Sequence, residues 1–125
     1  MSIDCDVCIS GYDRELADEY YITEFRSARQ PVKCCECERV IAKGEPYRKD
    51  VGVWNGEPST WRTCTECSEV REAFSCGGGW VFGALWESLY DLLDDITPGC
   101  FNRLTTAKAK SKLRDFWVKS RLENR

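Results

Sequence analysis

The sequence predicts an α+β fold: a cysteine knuckle, a β-hairpin and a short helix, followed by two amphipathic helices. Three observations predict it. Two Cys-x-x-Cys pairs, Cys34/Cys37 and Cys64/Cys67, enclose 26 residues that carry a strand, a turn signal and a return strand. Apolar residues recur at helical spacing over residues 81–96 and again beyond Thr106. Nine cysteines stand in a chain of 125 residues that contains no histidine, a composition that asks for covalent or metal cross-links.

Taken in order, residues 1–30 form an N-terminal segment with its own pair, Cys5-x-x-Cys8, and a Ser10-Gly11 turn. Glu19 to Arg26 has the aromatic and β-branched residues of a strand, and a helix from Arg14 to Phe25 competes with it until Pro31 breaks either one. Residues 31–76 form the central module. Cys34-Cys35-Glu36-Cys37 leads through Arg39-Val40-Ile41 to a turn at Lys43-Gly44-Glu45-Pro46. Tyr47 to Trp54 reads as a strand with Tyr47, Val51 and Val53 on one parity. Asn55-Gly56 is a strong two-residue hairpin signal, because both central residues of a type I′ turn need positive φ. Ser59 to Arg62 is the return strand, and Ser68 to Phe74 a short helix with Val70 and Phe74 inward.

Residues 77–125 form a helical C-terminal part. Gly77-Gly78-Gly79 reads as a hinge or close-packing point. Val81 to Ile96 reads as one helix whose apolar stripe is Phe82, Leu85, Trp86, Leu89, Leu93 and Ile96, ended by Thr97-Pro98-Gly99. Thr105 or Thr106 caps a last helix that runs to about Leu122. Ala109, Leu113, Phe116 and Trp117 share its inner face. Lys108, Lys112 and Lys119 lie on one flank and Lys110, Arg114 and Arg121 on the other.

Composition narrows the function classes. Apolar content of 42% and charged content of 31% indicate a globular chain. No apolar run approaches the ~18 residues of a membrane span. The first residues lack a basic region followed by an apolar one, so the expected setting is the cytoplasm of a bacterial host. Disulfides need an oxidising compartment, whereas Cys-x-x-Cys pairs suit tetrahedral metal ligation, so metal is the preferred account. The net charge of −3 is uneven. Residues 1–24 hold seven acidic side chains against Arg14, while the chain from Arg103 onward holds eight basic and two acidic ones.

The two pairs enclosing the hairpin carry the chemistry. A first pair on a tight turn, whose N–H groups face the sulfurs, and a second at a helix N-terminus form the plan of a treble-clef zinc finger. Cys34, Cys37, Cys64 and Cys67 are the expected Zn²⁺ ligands, and the spacing to Cys37 selects Cys34 over Cys35. A second four-cysteine site would draw on Cys5, Cys8, Cys76 and Cys100. In the alternative, Cys76 and Cys100 are small buried apolar side chains and Cys5-x-x-Cys8 is a loose terminal segment. One zinc is expected, two if the second site forms.

Four thiolates close the coordination sphere, and with no histidine the usual general base is missing, so no enzyme activity is expected. Glu36 and Glu66 read as solvated rather than catalytic. The basic flanks Lys108, Lys110, Lys112, Arg114, Lys119 and Arg121 are the candidate partner contacts. They would take an acidic protein surface or nucleic-acid phosphates, although a sequence pI near 5.1 is far from the values above ~9 usual for nucleic-acid binders.

The stretch from Cys34 to Trp80 resembles a group of short cysteine-rich proteins of bacteriophages and prophages. The shared features are Cys-x-x-Cys, then Ile41-x-x-Gly44-Glu45-x-Tyr47, Gly52-x-Trp54-x-Gly56, and Thr63-Cys64-x-x-Cys67. More distantly the layout is similar to treble-clef fingers of the LIM kind. The resemblance implies a zinc site at the four named cysteines and a viral origin. Separately, the uneven charge and the excess of aromatic residues fit a binding surface, so the expected role is that of a non-enzymatic accessory factor that binds and inhibits or redirects a host complex, such as a CRISPR or restriction defence nuclease. The alternative is a regulatory zinc finger that binds nucleic acid through the basic last helix.

Overall fold

A computed structural model of the chain describes residues 5, 7–10, 21–54, 56–76 and 82–123. The proposed glycine hinge at 77–79, Trp80, Asn55, Gly11, and residues 14–20 of the competing helix lie outside the described residues, as do the side chains of Trp54 and Cys76. Among the described residues the order is β1 (Ile9–Ser10), β2 (Tyr21–Ser27), β3 (Val32–Lys33), β4 (Val40–Ile41), β5 (Pro46–Trp54), β6 (Glu57–Cys64), α1 (Thr65–Phe74), β7 (Ser75–Cys76), α2 (Leu85–Asp91), a 3₁₀ turn (Leu93–Asp95), α3 (Pro98–Phe101) and α4 (Ala107–Glu123). The fold is α+β, as expected, with a small antiparallel sheet and helices.

The sheet has the order β2-β5-β6. β5 and β6 are the expected hairpin, with Trp54 opposite Glu57 across the two-residue turn and Tyr47 opposite Cys64 at its base. Gly56 has φ +78°, the left-handed conformation that the turn requires. The return strand is longer than expected because pairing continues to Cys64. β2 settles the N-terminal ambiguity over its range, pairing with β5 from Tyr21↔Gly52 to Ser27↔Pro46.

On the parity of Tyr47, Val51 and Val53 only Tyr47 is buried, and the other parity of β5 carries buried charge. Arg48 and Asp50 are buried, while Val51 and Val53 are half-buried. The reason lies on α1, which brings the fully buried Arg71 against the sheet. A buried guanidinium needs carboxylates and hydroxyls rather than valines. Arg71 donates to Glu36 (2.7 Å) and to the Thr63 hydroxyl (2.8 Å). Asp50 in turn accepts from the Tyr21 hydroxyl (2.7 Å), the Thr23 hydroxyl (2.8 Å) and Arg48 Nε (3.2 Å).

The expected helix from Val81 to Ile96 is also corrected. Gly83 has φ +86°, which forbids helix through that point. α2 therefore starts at Leu85 and gives way at Leu92 (φ −107°, ψ 19°) to the 3₁₀ turn. The apolar stripe keeps its purpose, since Leu85, Leu89, Leu93 and Ile96 are all buried. Helical structure stops just before Thr97-Pro98-Gly99, as expected, and the same residues open α3: Pro98 occupies its first turn, where a missing N–H costs nothing. α4 begins where expected, with the Thr106 hydroxyl accepting the Ala109 N–H (3.2 Å) as an N-cap.

One buried cluster gathers residues from the N-terminal segment (Cys5, Val7, Ile9), the knuckle (Cys34, Ile41), α1 (Val70, Phe74), α2 (Leu85, Leu89) and α4 (Ala109, Leu113). β1 pairs in parallel with β7, Ile9 opposite Ser75 and Ser10 opposite Cys76, a long-range contact with no signal in the sequence. Cys5 and Cys100 form a disulfide, and Cys8 is disulfide-bonded as well. A sulfur in a disulfide is not a thiolate and cannot ligate a metal. For Cys5, Cys8 and Cys100 the expectation of a second zinc gives way to disulfide bonding, and Cys5-x-x-Cys8 is not a loose segment. Arg103 reinforces this region, donating to the carbonyls of Cys5 and Val7.

Candidate metal centre

The first half of the centre is a knuckle made by β3 and β4, which pair Val32 with Ile41 and Lys33 with Val40. Between them the backbone doubles back, with the Cys34 N–H bonded to the Arg39 carbonyl (2.8 Å) and the Glu38 N–H to the Cys34 carbonyl (3.0 Å). Glu38 closes the turn at φ +63°, a left-handed conformation unusual for a residue with a Cβ. The turn aims amide groups at sulfur. The Glu36 N–H donates to Cys34 Sγ (3.4 Å), which also accepts the Cys64 N–H (3.3 Å).

The second half is the junction of β6 and α1. Cys64 is the last residue of the strand and the N-cap of the helix, and its sulfur accepts the Cys67 N–H (3.5 Å). Cys67 lies in the first helical turn, where the helix dipole favours negative charge. β3, β4, β6 and α1 thus bring the four cysteines together, with all four sulfurs within 4.8 Å of one another. Zinc–sulfur bonds of ~2.3 Å in a tetrahedron place sulfurs about 3.8 Å apart, and Cys37 Sγ lies 3.9 Å from Cys64 Sγ. The donor set and its spacing fit one divalent metal ion.

The sulfurs act on one another. Hydrogen bonding with Cys34, Cys64 and Cys67 pulls the Cys37 thiol far below its ordinary range. The sulfurs of Cys34, Cys37 and Cys64 push the Cys67 thiol far above it. A divalent cation displaces the thiol protons of such a compact group of sulfurs together.

Two side chains from the helical part complete the surroundings. Lys112 of α4 donates from Nζ to Cys37 Sγ (3.1 Å) and lies 3.6 Å from Cys64 Sγ and 3.8 Å from Glu66. Burial alone would lower the Lys112 pKa. The hydrogen bond to Cys37 and the charges of Cys67, Cys64 and Cys37 outweigh burial and hold the ammonium above its ordinary range. Lys112 was grouped by sequence with the outward cations, and here it differs from them by pointing at the sulfurs. Trp86 of α2 donates its indole N–H to Cys67 Sγ (3.3 Å).

The neighbouring carboxylates are not solvated, which corrects the sequence expectation. Glu36 is fully buried, ion-paired with Arg71, and accepts the Leu85 N–H (3.1 Å), fastening the start of α2 to the knuckle. Glu66 is shared by Arg39 (3.0 Å) and Lys112. Arg39 also holds Glu45 (2.6 Å). Cys35 stays out of the cluster, as its spacing predicted. Its sulfur faces the Thr63 hydroxyl (3.5 Å), and burial pushes its thiol up to about 11, the opposite of an activated nucleophile.

Of the basic residues on α4, Lys108, Lys110, Arg114, Lys119 and Arg121 are exposed, and Arg121 lies over the Trp117 ring (5.0 Å). Among the described residues no helix is long and apolar enough to cross a membrane. Compared with known protein families, with curated proteins and with solved structures, the chain matches none of them.

Proposed function

We propose that this chain is a zinc-stapled binding protein, in which Cys34, Cys37, Cys64 and Cys67 hold one structural Zn²⁺ in a treble-clef-like setting and the exposed cations of α4 meet an acidic partner. The observation that carries the reading is the mutual closeness of four sulfurs that already accept N–H groups from the knuckle, the helix start, Lys112 and Trp86. Tetrahedral sulfur sites take zinc or iron–sulfur chemistry, and sulfurs all within 4.8 Å of one another surround a single ion rather than a cluster, which supports zinc. Four thiolates leave no open coordination position, so the ion supports structure rather than turnover. The resemblance over Cys34–Trp80 supports placing such a protein among phage or prophage accessory factors that act on a host protein or ribonucleoprotein complex.

The same exposed cations support a second reading, nucleic-acid binding through phosphates, against which the net charge of −3 weighs. Native mass spectrometry of protein purified without added metal tests the staple: one zinc per folded chain is the expected result, and metal-free folded protein would remove the reading. Charge reversal at Lys110 and Arg114 tests the face. Partner binding is lost while zinc content and stability stay unchanged. Affinity for DNA or RNA that falls steeply with salt would favour the second reading.

A further inference from the structure

Three of the four sulfurs are buried, and Cys37 is not. Cys34, Cys64 and Cys67 are at most 1% exposed, whereas Cys37 is half-buried and lines a shallow cavity with Glu36, Trp86, Lys112 and Phe116. Its walls are chemically mixed. Trp86 and Phe116 pack ring against ring at 4.9 Å, and the Lys112 ammonium sits directly on the sulfur. A small, soft molecule that enters the cavity meets two aromatic rings and one sulfur of the candidate metal centre.

We propose that Cys37 is the chemically reactive sulfur of the centre, a modification site for small soft electrophiles, and that Lys112 is the positioning residue that holds it quiet. The inference rests on the zinc reading above. A metal-bound sulfur is already deprotonated, so it remains a nucleophile at neutral pH. Alkylation by iodoacetamide is then a single displacement. The Cys37 sulfur forms a bond to carbon, the carbon–iodine bond breaks, and iodide leaves with its electron pair; no proton moves. The product is a neutral thioether and a poorer ligand, so the reaction loosens the metal. Lys112 opposes it in two ways. Its charge-assisted hydrogen bond draws electron density from the sulfur, and its ammonium takes up space in the cavity beside that sulfur. It also compensates the excess negative charge of four thiolates around one divalent ion.

The test is timed iodoacetamide labelling of the zinc-loaded full chain, with each cysteine located by fragmentation. Cys37 is expected to label first among the four. Lys112→Met should accelerate it on the order of tenfold, the rate equivalent of one lost charge-assisted hydrogen bond, and Lys112→Arg should stay near the wild-type rate. Cobalt-loaded protein supplies a readout that looser packing would not mimic: the sulfur-to-cobalt charge-transfer band shifts in Lys112→Met and not in Lys112→Arg. Equal labelling of all four sulfurs in zinc-loaded wild-type protein overturns the inference without any variant. So does an unchanged Cys37 rate in a folded Lys112→Met protein. Native mass of the starting material separates the two levels: a chain without zinc overturns the zinc reading and this inference together, whereas a zinc-bound chain with indiscriminate labelling overturns this inference alone.

Discussion

Cys5-x-x-Cys8 and Cys34-x-x-Cys37 share a spacing and end in different chemistry. Cys34 and Cys37 lie on a doubled-back turn whose amides point at sulfur, opposite a helix start that supplies two more sulfurs. Cys5 and Cys8 lie beside a two-residue parallel strand, and Cys5 reaches Cys100 on α3 as a disulfide 95 residues distant in sequence. The difference teaches that the spacing alone brings two sulfurs near one another, while the groups that stabilise negative charge decide whether they act as ligands.

The strongest way to break the comparison is to remove one sulfur from each group. Cys64→Ser takes a ligand and the N-cap sulfur of α1 at once. Structural zinc contributes about 10–16 kcal/mol of apparent binding energy at pH 7, as large as the ~5–15 kcal/mol net stability of a domain. The expected outcome is loss of zinc and of cooperative unfolding by circular dichroism, with wild-type protein treated with a strong chelator behaving alike. A Cys64→Ser protein with a normal unfolding transition would show that the cluster is ornamental to stability.

The disulfide should matter less. Closing a loop of this length restricts the unfolded chain by up to about 4.7 kcal/mol in the entropy model, and removal of a native bridge costs about 2–5 kcal/mol. Cys100→Ser is therefore expected to lower the urea midpoint while leaving zinc content at one per chain. Loss of zinc in this variant would show that the two regions are one cooperative unit rather than two independent fastenings.

The sequence made the first region legible and hid the second, for a physical reason. Ligand spacing, the Asn55-Gly56 turn and the helix start are local signals, so the cluster, the hairpin and α1 could be read from adjacent residues. The β1–β7 pairing and the Cys5–Cys100 bridge join residues far apart in sequence, and nothing near Cys5 specifies Cys100. The buried charge on the other parity of β5, Arg48 and Asp50, carried no apolar signal. Arg71, Asp50 and Glu36 bury charge in mutual pairs, and only the assembled structure shows that each has its counter-ion. Lys112 was likewise indistinguishable by sequence from the outward cations two residues either side, because helical periodicity gives a face and not what that face meets.

A third fastening involves no sulfur and sets the small end of the scale. Glu69 of α1 accepts the N–H groups of Thr105 and Thr106 and the Thr106 hydroxyl (2.7 Å) at the start of α4. Burial would raise its pKa, but the Thr106 hydroxyl and the two backbone N–H groups outweigh it and hold the carboxyl below its ordinary range. A folded-state pKa below the unfolded one means that the stabilisation is complete above the unfolded value, about 4.3, and is lost as pH falls through the folded value. Glu69→Gln should cost about 1 kcal/mol, the scale of a helix cap. Measured as the gap in urea-unfolding free energy between wild type and variant, that cost should be equal at pH 7 and pH 5. Metal affinity behaves differently over the same interval, because protonation of ligand sulfurs competes with zinc, and it should fall equally in both proteins. A gap that narrows between pH 7 and pH 5 would mean that the folded-state pKa of Glu69 is not depressed and that its carboxylate does not fasten the start of α4.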